Sequence, residues 1–154
     1  MTHDTQPDSK SRLRLWLRLL KAQRSIESAL RDRLRAEFGS TLPRFDVLAA
    51  LDRSKDGLRM SELSSVLKVS NGNVTGIIER LVEDGQVERI PVPGDRRAMQ
   101  VRLTEKGRKN FAIMAAAHES WVSELLTPFE RTEAEALCSA FETLNNRLDQ
   151  ESKP

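Results

Sequence analysis

Tyrosine is absent from this chain, and cysteine occurs once. Among its 154 residues there are no tyrosines, one cysteine (Cys138) and two histidines, and aromatic side chains make up 5%. A single cysteine cannot form an intramolecular disulfide, which fits a reducing compartment. Because sandwich-like β proteins are rich in aromatic residues, the low aromatic content favours an α-rich fold.

Long apolar runs are also lacking. The sequence has no run of about 18 apolar residues, which a membrane-spanning helix needs, and residues 1–11 are polar without a signal-peptide core. We therefore expect a cytoplasmic protein that is neither secreted nor inserted in a membrane. With 38% hydrophobic and 31% charged residues, the chain can form one compact unit with a real core.

The residue patterns of common catalytic and metal sites are not found in the sequence. His3 lies in the polar N-terminal stretch, and His118 is alone on an apolar helix face, where an interior histidine is more common than a ligand. No Cys/His spacing resembles a zinc site, no glycine-rich loop follows a strand, and there is no Gly-x-Ser-x-Gly elbow. We predict that the protein is not an enzyme and binds no metal or cofactor.

Charge is unevenly distributed along the chain. The formal net charge of +2 is too small to indicate a nucleic-acid partner. However, residues 10–35 contain nine lysines and arginines against two acids, whereas residues 110–154 contain three against eight. The oppositely charged ends could lie against each other, within one subunit or between two, although most such charges are simply solvated.

The first helix is predicted over 11–38, with no proline or glycine inside it and Gly39 as its stop. Apolar residues fall on two stripes, which include Leu13 and Trp16 on one and Leu15 and Leu19 on the other. A surface helix needs only one such stripe, so burial on two sides is predicted. The helix is either a central core helix or is shared with a partner subunit.

Three further helices are predicted before a change of period. The first is capped by Thr41 or Leu42 and has Pro43 in its first turn, and a short one covers 60–67. The third runs over 71–83, capped by Ser70 and closed by Gly85. Its outer face carries small hydrogen-bonding residues in the first turns, where a DNA-reading helix contacts base edges. Glycines inside this helix suggest close approach of a partner, and DNA fits.

Alternation of apolar and polar residues then predicts a β-hairpin, with strands at 87–90 and 99–103 and a basic loop at 91–97. A helix–turn–helix followed directly by such a hairpin is typical of a winged helix. Two more helices are predicted, from the Thr104 cap to about Leu126 and from Thr132 to about Leu148. The fold class is therefore mainly α with a small β-hairpin wing.

Three segments resemble the MarR family of transcription regulators. They are SNGNVTGIIERLVEDGQVER (70–89), PGDRRA (93–98) and VRLTEKGR (101–108), and LPRFDVL (42–48) also falls where the family has a helix. The resemblance covers nearly the whole chain and implies a homodimer that binds a palindromic operator in double-stranded DNA. It implies dimerisation helices at 11–40 and 105–150 and a DNA-binding lobe at 41–104, while the polar residues 1–10 are expected to form a disordered tail.

The resemblance also implies which residues contact DNA. Asp95 and Arg97 match the family's Asp-x-Arg wing motif, and such an arginine is suited to a narrow minor groove. Asp95 cannot favourably contact phosphate, so we expect it to orient a basic residue, either Arg97 or Arg89. The residues expected at the DNA are Ser70, Asn71, Gly72, Asn73, Thr75, Gly76, Arg80, Asp95, Arg96 and Arg97.

Ligand sensing is the second function that the resemblance implies, because relatives are commonly released from DNA by small aromatic acids. LPRFD (42–46) together with SNGNVTG (70–76) is similar to regulators of aromatic acid catabolism, including ones that respond to hydroxycinnamoyl-CoA thioesters. The expected pocket has Trp16, Phe45, Phe111 and His118 as walls and Arg44 as a carboxylate partner. The alternatives are a constitutive DNA-binding or interaction module and a cysteine redox sensor, although we expect Cys138 to be packed.

Overall fold

The computed structural model describes residues 7–67 and 71–153. Within these residues the chain forms six helices and one three-stranded antiparallel sheet. The elements in chain order are α1 (Asp8–Phe38), α2 (Leu42–Arg53), β1 (Leu58–Arg59), α3 (Met60–Leu67), α4 (Asn71–Glu83), β2 (Val87–Val92), β3 (Asp95–Leu103), α5 (Glu105–Leu125) and α6 (Arg131–Glu151).

The helix ends follow from local chemistry. α1 begins at Asp8, one turn before the predicted start, because Pro7 precedes it with a φ of −53° and Asp8 places a negative charge in its first turn. Residues 8–10, expected in a disordered tail, are therefore helical. The predicted stop is confirmed, since Gly39 has a φ of 60° and its N–H bonds the carbonyl of Arg35.

The sheet has the order β1-β3-β2, so β3 is its central strand. β1 was not predicted, because a two-residue strand shows no alternation and forms only by pairing Leu58 with Val101 across the fold. The hairpin strands extend beyond their predicted ends and leave Pro93 and Gly94 as the connection, with Gly94 at a φ of 81°. Pro91 is tolerated because β2 is an edge strand.

The chain forms two compact units, 1–119 and 120–154. The first unit contains a core in which the largest fully buried side chains are Leu34, Leu48, Leu51, Leu63, Ile78 and Leu81. In the second unit, no described residue of α6 is buried. No described helix is both long and apolar enough to cross a membrane.

The two apolar stripes of α1 are not both buried within one chain. Only Leu30 and Leu34 of this helix are buried, while Leu13, Leu15 and Leu17 are each more than half exposed. The prediction of two-sided burial is therefore wrong for the isolated subunit, because the helix extends past the core that its C-terminal half joins. Its N-terminal half keeps an apolar surface that the described chain does not cover.

Candidate nucleic-acid interface

α4 separates a buried apolar face from an exposed polar one. Val74 and Ile78 are fully buried, because they lie on the side that packs against α2, α3 and β2. Asn73, Thr75 and Arg80 are exposed on the other side. Ser70, predicted as the cap, lies outside the described residues, and the helix starts with Asn71 and Gly72. α4 therefore offers an exposed, hydrogen-bonding surface.

Gly76 is not required by packing inside the chain. A methyl group built at this position would meet no atom within 4 Å. Glycine costs roughly 0.5–1 kcal/mol relative to alanine in the middle of a helix, and no internal contact offsets that cost here. Because Gly76 has no side chain, no atoms protrude from the outer side of α4 at this position, which suits close approach by an external partner.

The basic tip of the hairpin lies at the start of β3. Asp95, Arg96 and Arg97 are all exposed. Asp95 Oδ1 accepts a hydrogen bond from the backbone N–H of Arg97 at 3.0 Å. The residue expected to orient a guanidinium thus fixes the backbone that carries it. Neither Arg96 nor Arg97 has an ion-pair partner in the described part of the chain, so both can contact an outside anion.

The hairpin is held to the rest of the lobe at its base. Thr104 Oγ1 donates to the carbonyl of Gly85 at 2.7 Å and accepts from the N–H of Gly107 at 3.0 Å. Gly107 lies so close to Gln86, the residue after Gly85, that a methyl group on Gly107 would clash with the Gln86 carbonyl oxygen. These contacts join the end of α4 to the start of α5 and fix the hairpin relative to α4.

A cross-strand ion pair also supports the hairpin. Glu88 and Arg102 are directly opposite each other in the register, and Arg102 Nε lies 2.6 Å from Glu88 Oε1. Both side chains are 45% exposed, so the pair contributes no more than about 1 kcal/mol. The pair stabilises the strand pairing and keeps these two charges away from the tip.

Three of the five residues expected in a ligand pocket form a packed cluster. Phe45 stacks on His118 with ring centroids 4.4 Å apart, and its centroid is 5.5 Å from that of Phe111. Both phenylalanines are 7% exposed. Phe45 thus packs against both of the other rings, and none of the three lines either of the two cavities described below. Trp16, by contrast, is 51% exposed on the first half of α1.

Burial also sets the charge of this cluster. It lowers the pKa of His118, and the nearby Asp46 carboxylate only partly opposes that shift. Burial raises the pKa of Asp46, with His118 acting in the opposite direction. A lowered pKa keeps the imidazole neutral near pH 7, which suits a ring stacked on Phe45. The cluster is therefore chiefly apolar.

Arg44, the fifth expected pocket residue, lies in the first turn of α2 and lines two cavities. The larger cavity, about 630 Å³, also contains Arg31, Arg35 and Arg80, and we call it the arginine cavity. The smaller, about 430 Å³, lies between the end of α1 and α5 and includes Gln86. Sequence reasoning treated Arg31 and Arg35 only as part of a basic segment, although their spacing of four places them on one helix face.

Cys138 is exposed on α6, not packed as expected from its sequence position. Cys138 is exposed because no described residue of α6 packs into the core, and the apolar residues of this helix are exposed for the same reason.

Among the described residues, no group of three or more histidine, cysteine or acidic side chains could hold a metal ion.

Comparisons with known proteins agree with this geometry. A family model described as MarR family matches residues 38–98. The HTH-type transcriptional regulator PecS of Dickeya dadantii is 31% identical over 132 residues, covering 79% of this chain and 77% of that protein. The transcriptional activatory protein BadR of Rhodopseudomonas palustris is 34% identical over 116 residues, covering 73% and 66%.

The similarity extends to solved structures. The crystal structure of a MarR family transcriptional regulator from Silicibacter pomeroyi matches with a TM-score of 0.77 and 30% identity, covering 94% of this chain and 99% of that one. The predicted winged-helix fold is thereby confirmed. These similar proteins are named as transcription regulators, in agreement with the prediction that the chain is not an enzyme.

Proposed function

Because this chain belongs to the MarR family of transcription regulators, we propose that it binds a palindromic operator in double-stranded DNA as a homodimer. The observation that carries the proposal is the exposed polar face of α4 followed by a hairpin whose two tip arginines have no ion-pair partner in the described chain. A helix supplies base contacts and cations supply phosphate or minor-groove contacts.

In the proposed complex α4 enters the major groove. Asn73 can pair with both hydrogen-bonding positions of an adenine edge, and Gly76 lets the helix approach closely. Arg97 at the hairpin tip enters the adjacent minor groove, whose negative potential attracts guanidinium groups. The proposed DNA contacts are Ser70, Asn71, Gly72, Asn73, Thr75, Gly76, Arg80, Asp95, Arg96 and Arg97.

A dimer fits the surfaces that each unit leaves uncovered. Leu13 and Leu17 of α1 are exposed, and so are Leu137, Leu144 and Leu148 of α6. Apolar side chains of this size are normally buried, and a second subunit would cover them. We propose that residues 11–40 and 105–150 form the dimerisation region and that 41–104 form the DNA-binding lobe. Two α4 helices then meet half-sites about 34–36 Å apart.

We further propose that the regulator responds to a small aromatic acid or its CoA thioester. In this view it represses a phenolic or hydroxycinnamate catabolism or efflux operon in the cytoplasm and is released by the effector. Arg44 supports this idea, because it brings a cation to both cavities. A ligand that prefers one spacing of the two α4 helices shifts the population away from the DNA-binding form.

Two other functions remain as alternatives. In one, the protein is a constitutive DNA-binding or interaction module, and no compound changes its affinity for DNA. The other is a cysteine redox sensor, for which the exposure of Cys138 gives access to an oxidant. If Cys138 reacts with a thiol reagent no faster than an ordinary exposed cysteine, that result favours the ligand response over the redox response.

Fluorescence anisotropy with DNA from the region upstream of the coding sequence tests the proposal. We expect tight binding that weakens with salt, and weaker binding to a scrambled duplex of equal length. Arg97→Ala should lower the slope of log affinity against log salt by about one, whereas Lys153→Ala, outside the proposed interface, should not. Equal affinity for both duplexes would contradict operator recognition, and an unchanged slope would remove the hairpin tip from the DNA.

A further inference from the structure

Hydrogen bonds to three consecutive backbone carbonyls join the end of α4 to the start of α5. Lys106 Nζ donates to the carbonyl of Asp84 at 2.9 Å. The Thr104 side chain donates to the carbonyl of Gly85 at 2.7 Å, and its backbone N–H donates to the carbonyl of Gln86 at 3.0 Å. Carbonyls at the C-terminal end of a helix lack partners inside the helix. Here residues at the start of α5 supply those partners, and these five residues form the α4–α5 junction.

The Thr104 hydroxyl bonds to both sides of this junction at once. It donates its proton to the Gly85 carbonyl after α4, and its oxygen accepts the N–H of Gly107 in the first turn of α5 at 3.0 Å. The contact with Gly107 is an N-cap, which serine, threonine, asparagine and aspartate side chains can all make. The contact with Gly85 requires a donor, which an ionised carboxylate lacks. One hydroxyl therefore links the two helices, whereas a carboxylate could only cap α5.

Thr104 contributes more to the junction than Lys106 does. Lys106 is exposed, so water competes for its hydrogen bond, while Thr104 is half-buried. Beside Thr104, Gly107 is buried, and a methyl group on it would clash with the Gln86 carbonyl oxygen. Lys106 adds a cation at the negative end of the α4 dipole. The junction is thus both hydrogen-bonded and closely packed around Thr104.

The junction lies at the opposite end of α4 from the first proposed base contacts. α4 is one helix of 13 residues, so it is about 20 Å long. Asp84, whose carbonyl accepts Lys106, also places Oδ2 3.6 Å from Nε of Arg80, a proposed DNA contact one turn earlier. A small rotation of a stiff helix at the junction displaces Asn73 near its other end. The junction is therefore placed to control where α4 presents its polar face.

We propose that Thr104, supported by Lys106, is a positioning residue that fixes α4 relative to α5 and so sets the distance between the two α4 helices of the dimer. α5 begins the proposed dimerisation region, and α4 carries the proposed base contacts. The inference rests on the proposed function, because this distance matters where two α4 helices bind one palindrome. A firm junction makes the dimer select the spacing of half-sites as well as their sequence. A loosened junction binds each half-site and tolerates a wrong spacing.

The distance between the two α4 helices can be measured without DNA. A nitroxide label on Glu79→Cys, in a Cys138→Ser chain, lies on the exposed side of α4, and double electron–electron resonance gives the label-to-label distances in the dimer. We expect one narrow distribution for the parent chain and for Thr104→Ser, which keeps a hydroxyl. Thr104→Val and Thr104→Asp should give broader or shifted distributions. Because aspartate still caps α5, a change in that variant reports the lost contact with Gly85.

Anisotropy titrations with differently spaced operators measure the consequence for binding. The duplexes are the palindrome that the parent chain binds, the same palindrome with two base pairs inserted at its centre, and a single half-site. The insertion turns one half-site by about 70° relative to the other, since B-DNA has about 10–10.5 base pairs per turn. The parent chain and Thr104→Ser should lose at least about tenfold in affinity on insertion, because both half-sites can no longer be bound together.

The variants without the link should discriminate less between these duplexes. Thr104→Val and Thr104→Asp should lose less than about threefold on insertion, since a flexible connection still reaches both half-sites. Their affinity for a single half-site should stay within about twofold of the parent chain, because neither change touches a proposed base contact. A role in folding alone would instead lower the affinity for all three duplexes by the same factor.

Thr41→Val is the matched control, because the Thr41 hydroxyl caps α2 by accepting the Arg44 N–H and takes no part in the junction. It should keep the narrow label distance and the preference for the original spacing, even where circular dichroism melting shows a loss of stability. Parent-like label distances and spacing preference in Thr104→Asp would overturn the positioning role, as would equal changes in Thr41→Val. A parent chain that binds no palindrome contradicts the proposed function, whereas the label distances still decide the positioning role.

Discussion

At the scale of single residues, Asp95 acts on the backbone of Arg97 and not on its guanidinium group. The sequence predicted that this carboxylate orients a basic side chain. In the structure it accepts the backbone N–H of Arg97 at 3.0 Å. An Asx contact of this kind orders the chain two residues later without pairing the guanidinium. The arginine charge therefore stays available, and only the backbone that carries it is fixed.

Replacing Asp95 distinguishes these two roles. Asp95→Ala removes the acceptor, and we expect DNA affinity to fall about threefold to tenfold, corresponding to roughly one hydrogen bond. Asp95→Asn keeps an acceptor oxygen and removes a negative charge close to phosphates, so its affinity should equal or exceed that of the parent chain. Anisotropy titrations at one salt concentration measure both. If the asparagine variant is as weak as the alanine variant, the charge is required and Asp95 acts on a guanidinium.

The sequence could predict which residues of α4 are exposed at the candidate interface, but it could not predict how the residues expected in a ligand pocket pack against one another. Polar spacing along α4 follows from helix geometry, so Asn73 and Thr75 were placed on the exposed face by sequence. Phe45, Phe111 and His118 are far apart in the chain, and whether rings enclose a space or fill it depends on distances between helices. The ring-centroid distances of 4.4 Å (Phe45 to His118) and 5.5 Å (Phe45 to Phe111) could not be deduced from their spacing in the sequence.

At the scale of elements, the helix bounds were predictable wherever a cap is encoded locally. Thr41 Oγ1 accepts the Arg44 N–H, and Gly39 adopts a positive φ, both as their positions in the sequence indicated. β1 and the outer halves of the hairpin strands were missed, because strand pairing depends on residues distant in sequence. The junction at Gly107 was missed for the same reason, since its neighbour there is the Gln86 carbonyl.

Two glycines inside helices should respond oppositely to alanine. Gly107→Ala places a methyl group against the Gln86 carbonyl, which belongs to the backbone and cannot rotate away. We expect the free energy of unfolding to fall by about 2 kcal/mol or more, since overpacking outweighs the gain in helix propensity. Urea denaturation followed by circular dichroism measures the change. The control is Gly76→Ala, with no atom within 4 Å, which should gain about 0.5–1 kcal/mol.

The pair of variants also separates folding from binding. Gly76→Ala should be more stable and yet bind DNA less well, because a methyl group now stands on the outer side of α4. Gly107 is not a proposed DNA contact. Gly107→Ala should therefore weaken DNA binding only if it shifts the hairpin relative to α4. Destabilisation by Gly76→Ala would show that this glycine has a structural role inside the chain. Unchanged stability in Gly107→Ala would show that α5 can move away from the Gln86 carbonyl.

At the scale of the whole molecule, the single chain leaves exposed an apolar surface on α1 that the sequence pattern predicts to be buried. The two stripes of α1 predicted burial on both sides, and within one subunit only Leu30 and Leu34 of this helix are buried. Sequence periodicity cannot distinguish a helix inside its own core from a helix shared between subunits, since both need the same stripes. The exposure of Leu13, Leu15 and Leu17 favours the shared helix.

Disruption of this surface should separate the subunits without unfolding them. Leu13 and Leu17 are 56% and 54% exposed and lie one turn apart, so Leu13→Glu/Leu17→Glu places two charges on a surface that is solvated in the single chain. Light scattering should give about twice the chain mass of 17.4 kDa for the parent protein and one chain mass for the variant. The helical circular dichroism signal should be retained, because neither side chain belongs to the core.

Affinity for a palindromic operator should fall to that for a single half-site in the same variant, because the second α4 is no longer held at the required spacing. Val66→Glu is the control, since Val66 is 53% exposed on α3, outside the proposed dimerisation region, and its mass should remain that of a dimer. A dimeric Leu13→Glu/Leu17→Glu variant would exclude the first half of α1 from the interface. A monomeric parent protein that still prefers the palindrome over one half-site would show that DNA itself assembles the pair.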